Sequence, residues 1–137
     1  MDGRLVLLCH HGGWDRLYQA ASAAATATSM GQRVDVVFFF AALERLVSGR
    51  LDELTCEPRD EAREARLQAN AERAGTPPVS GLFAAARATG EARFWACSAS
   101  IALTGVGPAA VREHVDEIVG WPTVLRLIGQ AQHVLYL

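Results

Sequence analysis

A chain of 137 residues is one domain long, and with half its residues hydrophobic and a fifth charged it can bury a core without staples. The formal net charge of −2, with arginine supplying all 13 basic residues, gives no broad positive field for nucleic acid. No apolar run is long enough for a membrane span.

Cysteine usage bounds the compartment. Cys9, Cys56 and Cys97 are odd in number and widely spaced, which argues against a disulfide framework and fits a reducing cytoplasm. The apolar run Leu5 to Cys9 is too short for the core of a signal peptide and lacks a small-residue cleavage site.

In chain order, Leu5-Val6-Leu7-Leu8 has the continuous apolar character of a strand covered on both faces. It runs into the turn Cys9-His10-His11-Gly12-Gly13. An alanine-rich helix follows from about Asp15 to Met30, with Leu17, Ala21 and Ala24 on one face, Asp15 at its start and Gly31 at its end. Val34 to Phe40 reads as a second strand, and Leu43, Leu46 and Val47 as a second helix closed by Gly49.

Residues 50 to 80 change in composition. Arg59 to Arg73 is crowded with Glu and Arg around one large apolar residue, Leu67, and predicts an exposed helix that pairs Asp60 with Arg63. Thr76-Pro77-Pro78 ends it. This charged excursion is expected to be mobile or to meet a partner, with a plain solvated face as the alternative. A helix from Leu82 to Ala88 stops at Gly90, and Arg93 to Cys97 forms the third strand. A short helix from Ser98 ends near Gly105. The spacing of Val111, Val115 and Ile118 then predicts a helix from Pro108 through Val119. Gly120 breaks it, Trp121-Pro122-Thr123 opens the last helix, and His133 to Leu137 closes the chain as a strand.

Strands alternating with helices predict an α/β fold: a three-layer α/β/α sandwich around a mainly parallel sheet of about four to five strands, as a single domain over residues 1–137. Right-handed crossovers place every strand C-terminus on one edge, where ligands gather in such sheets.

Phe94-Trp95-Ala96-Cys97 is a buried strand that stops at a cysteine just before a helix. The free N–H groups of the helix start favour the thiolate, the form of cysteine that does chemistry. The plain alternative is a cysteine acting as a small core hydrophobe. Cys9 ends the first strand on the same edge. If the two strands are neighbours the cysteines lie roughly 5 Å apart, and if another strand intervenes a disulfide is ruled out.

His10 and His11 extend that edge. They suit imidazolium pairing with a thiolate, or zinc or copper ligation, but their spacing matches no familiar metal site. Gly12 and Gly13 suit either a phosphate cradle or a tight turn needing positive φ; no complete nucleotide fingerprint accompanies them. Ser98 and Ser100 read as helix caps rather than nucleophiles, since no G-x-S-x-G elbow surrounds them. Asp116 and Glu117 read as solvated helix residues, His114 as a surface residue, and Cys56 as an incidental thiol, open to oxidation if exposed. Leu82, Phe83, Trp95 and Trp121 are candidate apolar surface for a pocket or interface, with Trp95 better explained as core.

Taken in order, the N-terminal strand and small-residue helix ending in Met30-Gly31, the strand Val34-Asp35-Val36-Val37-Phe38-Phe39-Phe40 leading into Ala41-Ala42-Leu43, the stretch Ala96-Cys97-Ser98-Ala99-Ser100 with Gly105 following, and Val115-Asp116-Glu117-Ile118-Val119-Gly120-Trp121 resemble the DsrE/DsrF-like family of sulfur-relay subunits. The resemblance spans nearly the whole chain and is loosest over residues 50 to 80. It implies a three-layer fold, assembly into homo- or hetero-oligomers, and a cysteine, at the position of Cys97, that accepts sulfur as a persulfide and hands it on. The Cys9-His10-His11 turn is not among the features that carry the resemblance.

The expectation is a cytoplasmic sulfur carrier or sulfurtransferase-like protein needing no cofactor. Cys97 and Cys9 are its sulfur sites, and His10, His11, Gly12, Gly13, Ser98, Ser100 and Trp121 surround them. Its partners are sulfur donor and acceptor proteins and further subunits, not nucleic acid or membrane. The alternative is a non-catalytic oligomeric subunit that binds a small molecule or metal, and a third reading is a purely structural partner whose cysteines are core residues.

Overall fold

The computed structural model describes residues 3–137. Five strands alternate with helices: β1 (Arg4–Cys9), α1 (Trp14–Ser29), β2 (Arg33–Phe38), α2 (Phe40–Val47), α3 (Glu61–Ala74), α4 (Val79–Ala88), β3 (Ala92–Cys97), α5 (Ser98–Thr104), α6 (Pro108–Arg112), β4 (Glu117–Val119), α7 (Trp121–Gln130) and β5 (His133–Tyr136). All strand pairs are parallel, in the order β4-β3-β2-β1-β5. The three inner strands are mostly apolar and buried on both faces, the buried charged exception being Asp35 of β2, whose Oδ1 accepts from Trp95 Nε1 at 3.0 Å.

Alternation divides the strand residues between two cores. Leu5, Leu7, Cys9, Val34, Val36, Phe38, Phe94 and Ala96 pack with α1, α2 and α4 on one face. The small residues Ala20, Ala21 and Ala24 of α1 are fully buried there and let the helix lie close. Val6, Leu8, Val37, Trp95 and Cys97 point to the other face, where Val124 and Leu127 of α7 cover them.

The predicted helix through Val119 is corrected. α6 stops at Arg112, and Glu117–Val119 becomes the edge strand β4 in register with Trp95–Cys97. The spacing of Val111 and Val115 is also met by a helix turn followed by a loop, and both are buried. Asp116 is a loop residue rather than a helical one. Its Oδ2 accepts from Phe94 N at 2.8 Å and its Oδ1 from Arg87 Nη2 at 3.2 Å, which holds β4 against β3. Glu117 lies on the strand itself and pairs with Arg93 at 3.1 Å. Phe83 is core, stacked edge-on against Phe38 and Phe94. Asp15 does not cap α1, whose N-cap is Gly13 without a side-chain bond; its carboxylate pairs instead with Arg63. Asp60 is the N-cap of α3, its carboxylate accepting from Arg63 N.

The charged excursion is docked on the strand C-terminal edge. Trp14 N donates to the Thr55 carbonyl at 2.8 Å, and Gly12 N donates to Glu57 Oε2 at 3.1 Å. Glu64 fastens the segment: its carboxylate accepts from Cys56 N and from both Arg59 Nε and Nη2, each at 2.8 Å. The Arg59 bonds, then the Cys56 N–H, hold the Glu64 carboxyl down to about 2 from an ordinary 4.5.

The clasp's stabilisation is therefore full above pH 4.5 and is lost as pH falls through about 2. A Glu64→Gln variant is expected to be less stable than the parent at neutral pH, and the gap between their urea midpoints should close as pH falls through that window.

Candidate functional site

The strand C-terminal edge gathers Cys9, His10 and His11 after β1, Phe39 and Phe40 after β2, Cys97 and Ser98 after β3, Gly120 and Trp121 after β4, and Leu137 after β5. Backbone bonds knit it together: His10 N donates to the Leu137 carbonyl at 2.7 Å and Phe39 N to the Cys9 carbonyl at 2.9 Å. Phe40 takes a positive φ of 39° at the junction, a conformation rare for a residue with a side chain.

The two edge cysteines do not meet. β2 lies between β1 and β3, with Cys9 opposite Phe38 and Phe38 opposite Ala96. Two inter-strand steps separate them by roughly 10 Å, beyond disulfide reach. They also face opposite ways, Cys9 into the α1 core and Cys97 into the α7 core. Burial pushes the Cys9 thiol up to about 12, so it is a protonated core thiol near neutrality.

Cys97 is the N-cap of α5, in extended conformation, with φ −75° and ψ 122°. Its thiol is buried beside Phe39, Trp95 and Val119. Trp121, half exposed, stacks on Phe39 of this cluster with ring centroids 5.5 Å apart. The serines are not caps: Ser98 is the first residue of α5 and exposed, and Ser100 is fully buried, its Oγ without a protein partner.

His10 sits in an aromatic group, its ring centroid 5.4 Å from His11, 5.6 Å from Phe40 and 6.2 Å from Tyr136. Among the described residues, no group of three or more His, Cys, Asp or Glu side chains is placed to hold a metal ion. The Gly12-Gly13 turn does not need positive φ, and the N–H that a phosphate would take is filled by Glu57. Glycine is required for space: a Cβ on Gly12 would lie 2.7 Å from Glu57 Oε1 and 2.9 Å from Ala41 Cβ.

Sequence reasoning missed how residues 53–64 contribute. Cys56 is buried, not exposed, and its Sγ accepts from Arg63 Nη1 at 3.2 Å. Arg45 is buried on α2 although its neighbours in sequence signal only an amphipathic helix. The one legible signal was the Gly12-Gly13 pair, which marks a close approach without naming what approaches.

The sequence matches the DsrE/DsrF-like family over residues 4–137. Among curated proteins there is no match. Among solved structures, the fold is similar to "Structure of Protein of Unknown Function MTH1491 from Methanobacterium thermoautotrophicum", at 14% identity and a TM-score of 0.60, covering 99% of this chain and 100% of that one.

Two outcomes are expected. Mild oxidation of the folded chain yields no Cys9–Cys97 disulfide in peptide maps. Gly12→Ala lowers stability by about 1–3 kcal/mol, the usual cost of forcing an extra carbon into a packed site, read from urea unfolding.

Proposed function

The chain belongs to the DsrE/DsrF-like family, and from that premise we propose that it is a sulfur carrier or sulfurtransferase-like protein of an intracellular sulfur relay, with Cys97 as its sulfur-bearing residue. The observation that supports this most is the place of Cys97: last residue of β3, on the strand C-terminal edge, and N-cap of α5. α5 begins directly after Cys97, whose side chain makes no cap hydrogen bond, and a helix start favours negative charge that develops beside it.

In the proposed step the Cys97 thiolate attacks the outer sulfur of a donor persulfide. A Cys97–S–S bond forms, the donor S–S bond breaks, and the donor leaves as a thiolate that takes up a proton. An acceptor thiolate then attacks the bound outer sulfur and releases Cys97 as thiolate. No net oxidation or reduction occurs and no cofactor is consumed. Cys9 is buried in the core on the opposite face of the sheet, and the proposed step does not use it. For a donor to reach the buried Cys97 its cover must open, and in this reading the half-exposed Trp121, stacked on Phe39 of the same cluster, is the part that moves.

Assembly with further subunits in the cytoplasm belongs to the same reading. Val134, Leu135 and Tyr136 on edge strand β5 and Leu125 on α7 are exposed large apolar side chains, the kind of surface that subunits cover. Among the described residues no helix is long and apolar enough to cross a membrane.

One observation favours the second reading, a non-catalytic subunit: Cys97 is only 3% exposed. Intact-protein mass spectrometry after incubation with a persulfide donor separates the two. The expected result is one added sulfur on the parent, removed by reductant, absent from Cys97→Ser and acquired faster by Trp121→Ala. No added sulfur on the parent or on Trp121→Ala selects the binding-subunit reading.

A further inference from the structure

α5 turns one face inward. Ser98, Ala99, Ala102 and Leu103 are exposed, while Cys97, Ser100 and Ile101 are buried. Cys97 is the N-cap and Ser100 the third helical residue. Residues three apart are neighbours on a helix surface, with Cβ atoms roughly 5–6 Å from each other. A side chain at the third helical position is also the one that reaches back toward the N-cap residue in a capping box.

Ser100 is fully buried, and its Oγ makes no hydrogen bond to protein. A helical hydroxyl ordinarily avoids that cost by donating to a carbonyl three or four residues back. The chain does so elsewhere: Thr104 Oγ1 donates to the Ser100 carbonyl at 2.6 Å and Thr28 Oγ1 to the Ala24 carbonyl at 2.8 Å. Ser100 keeps its donor unmade. The Cys97 side chain makes no cap hydrogen bond either, and Phe39, Trp95 and Val119 around it are apolar. The charged groups of the neighbouring elements have other partners: Glu117 of β4 pairs with Arg93, Asp35 of β2 with Arg4 and Trp95, Arg126 of α7 with Thr123, and Arg45 of α2 with Thr55. Glu44 of α2 is exposed.

A neutral thiol is a weak acceptor, whereas a thiolate takes a strong, charge-assisted bond. We propose that Ser100 stabilises the reactive form of Cys97: once the thiol ionises, the Ser100 hydroxyl turns its proton onto Cys97 Sγ. The bond is absent from the resting thiol shown here, forms with the thiolate, and forms again when Cys97 is released as thiolate on handover. Ser98, on the exposed face, has no such role. This inference rests on the sulfur-relay reading, in which Cys97 reacts as thiolate.

The test compares the parent with Ser100→Ala. Alkylation of Cys97 by iodoacetamide is followed by peptide mass mapping as a function of pH, with thermal unfolding of both reduced chains alongside. Ser100→Ala should keep or raise the thermal midpoint, because it removes an unmade buried donor and substitutes a better helix former. Near neutral pH its Cys97 should alkylate about three- to tenfold more slowly, and the gap should close as pH rises and both thiols ionise. Sulfur uptake from a persulfide donor near neutral pH should slow by a similar factor. Equal alkylation rates in the two chains overturn the proposal and leave the relay reading standing. A rate lowered by the same factor at every pH, which reports access rather than ionisation, overturns it too. A Cys97 that resists alkylation in the native parent at every pH overturns both.

Discussion

The position of β2 between β1 and β3 constrains everything else in this molecule. A parallel sheet puts every strand C-terminus on one edge, so the sequence brings Cys9 and Cys97 to the same side of the domain. The strand between them, and the pleat that turns one thiol to each face, keep them apart. One edge therefore carries two thiols in unlike surroundings. Cys9 is buried in the core beneath α1, where burial pushes its thiol up, while Cys97 is buried on the α7 face and stands at a helix start. Any chemistry at this edge belongs to one cysteine at a time.

The helical layers follow from the same winding and are unequal. Five helices, α1, α2, α4, α5 and α6, contribute to the core on the Cys9 face, and α7 is the one helix in the core on the Cys97 face. Strand β5, at the margin, has all four of its residues exposed. The thinner side is thus the one that holds Cys97, with Leu125 of α7 and Val134 and Tyr136 of β5 exposed on it. On the other side the excursion of residues 50–64 is drawn onto the edge by Glu57 and Thr55 and fixed by Glu64. That docking fills the Gly12 N–H with a carboxylate and buries Arg45.

The alternation of apolar runs with helical spacing made the sandwich legible, because a strand buried on both faces leaves an unbroken hydrophobic signature such as Leu5–Leu8. Cys97 was legible for a local reason: a strand end and a helix start are both written in the residues next to it. Three things were not. β4 is three residues long, and Val111, Val115 and Ile118 keep a helical spacing that the chain uses only in part. The excursion's place depends on bonds between residues some 45 positions apart, as from Gly12 to Glu57, which periodicity does not carry. Arg45 is surrounded in sequence by exposed-looking charges, and only the return of residues 53–55 buries it.

The central claim is that Cys97 works without a second thiol. The most direct measurement is sulfur uptake and handover, followed by mass, in a chain carrying Cys9→Ala and Cys56→Ser so that Cys97 is the sole cysteine. The account predicts that this chain gains one sulfur from a persulfide donor and passes it to an acceptor thiol at the parent's rate. Folded protein that takes up no sulfur, or takes it up and does not release it, would contradict the claim and return Cys9 or Cys56 to the chemistry.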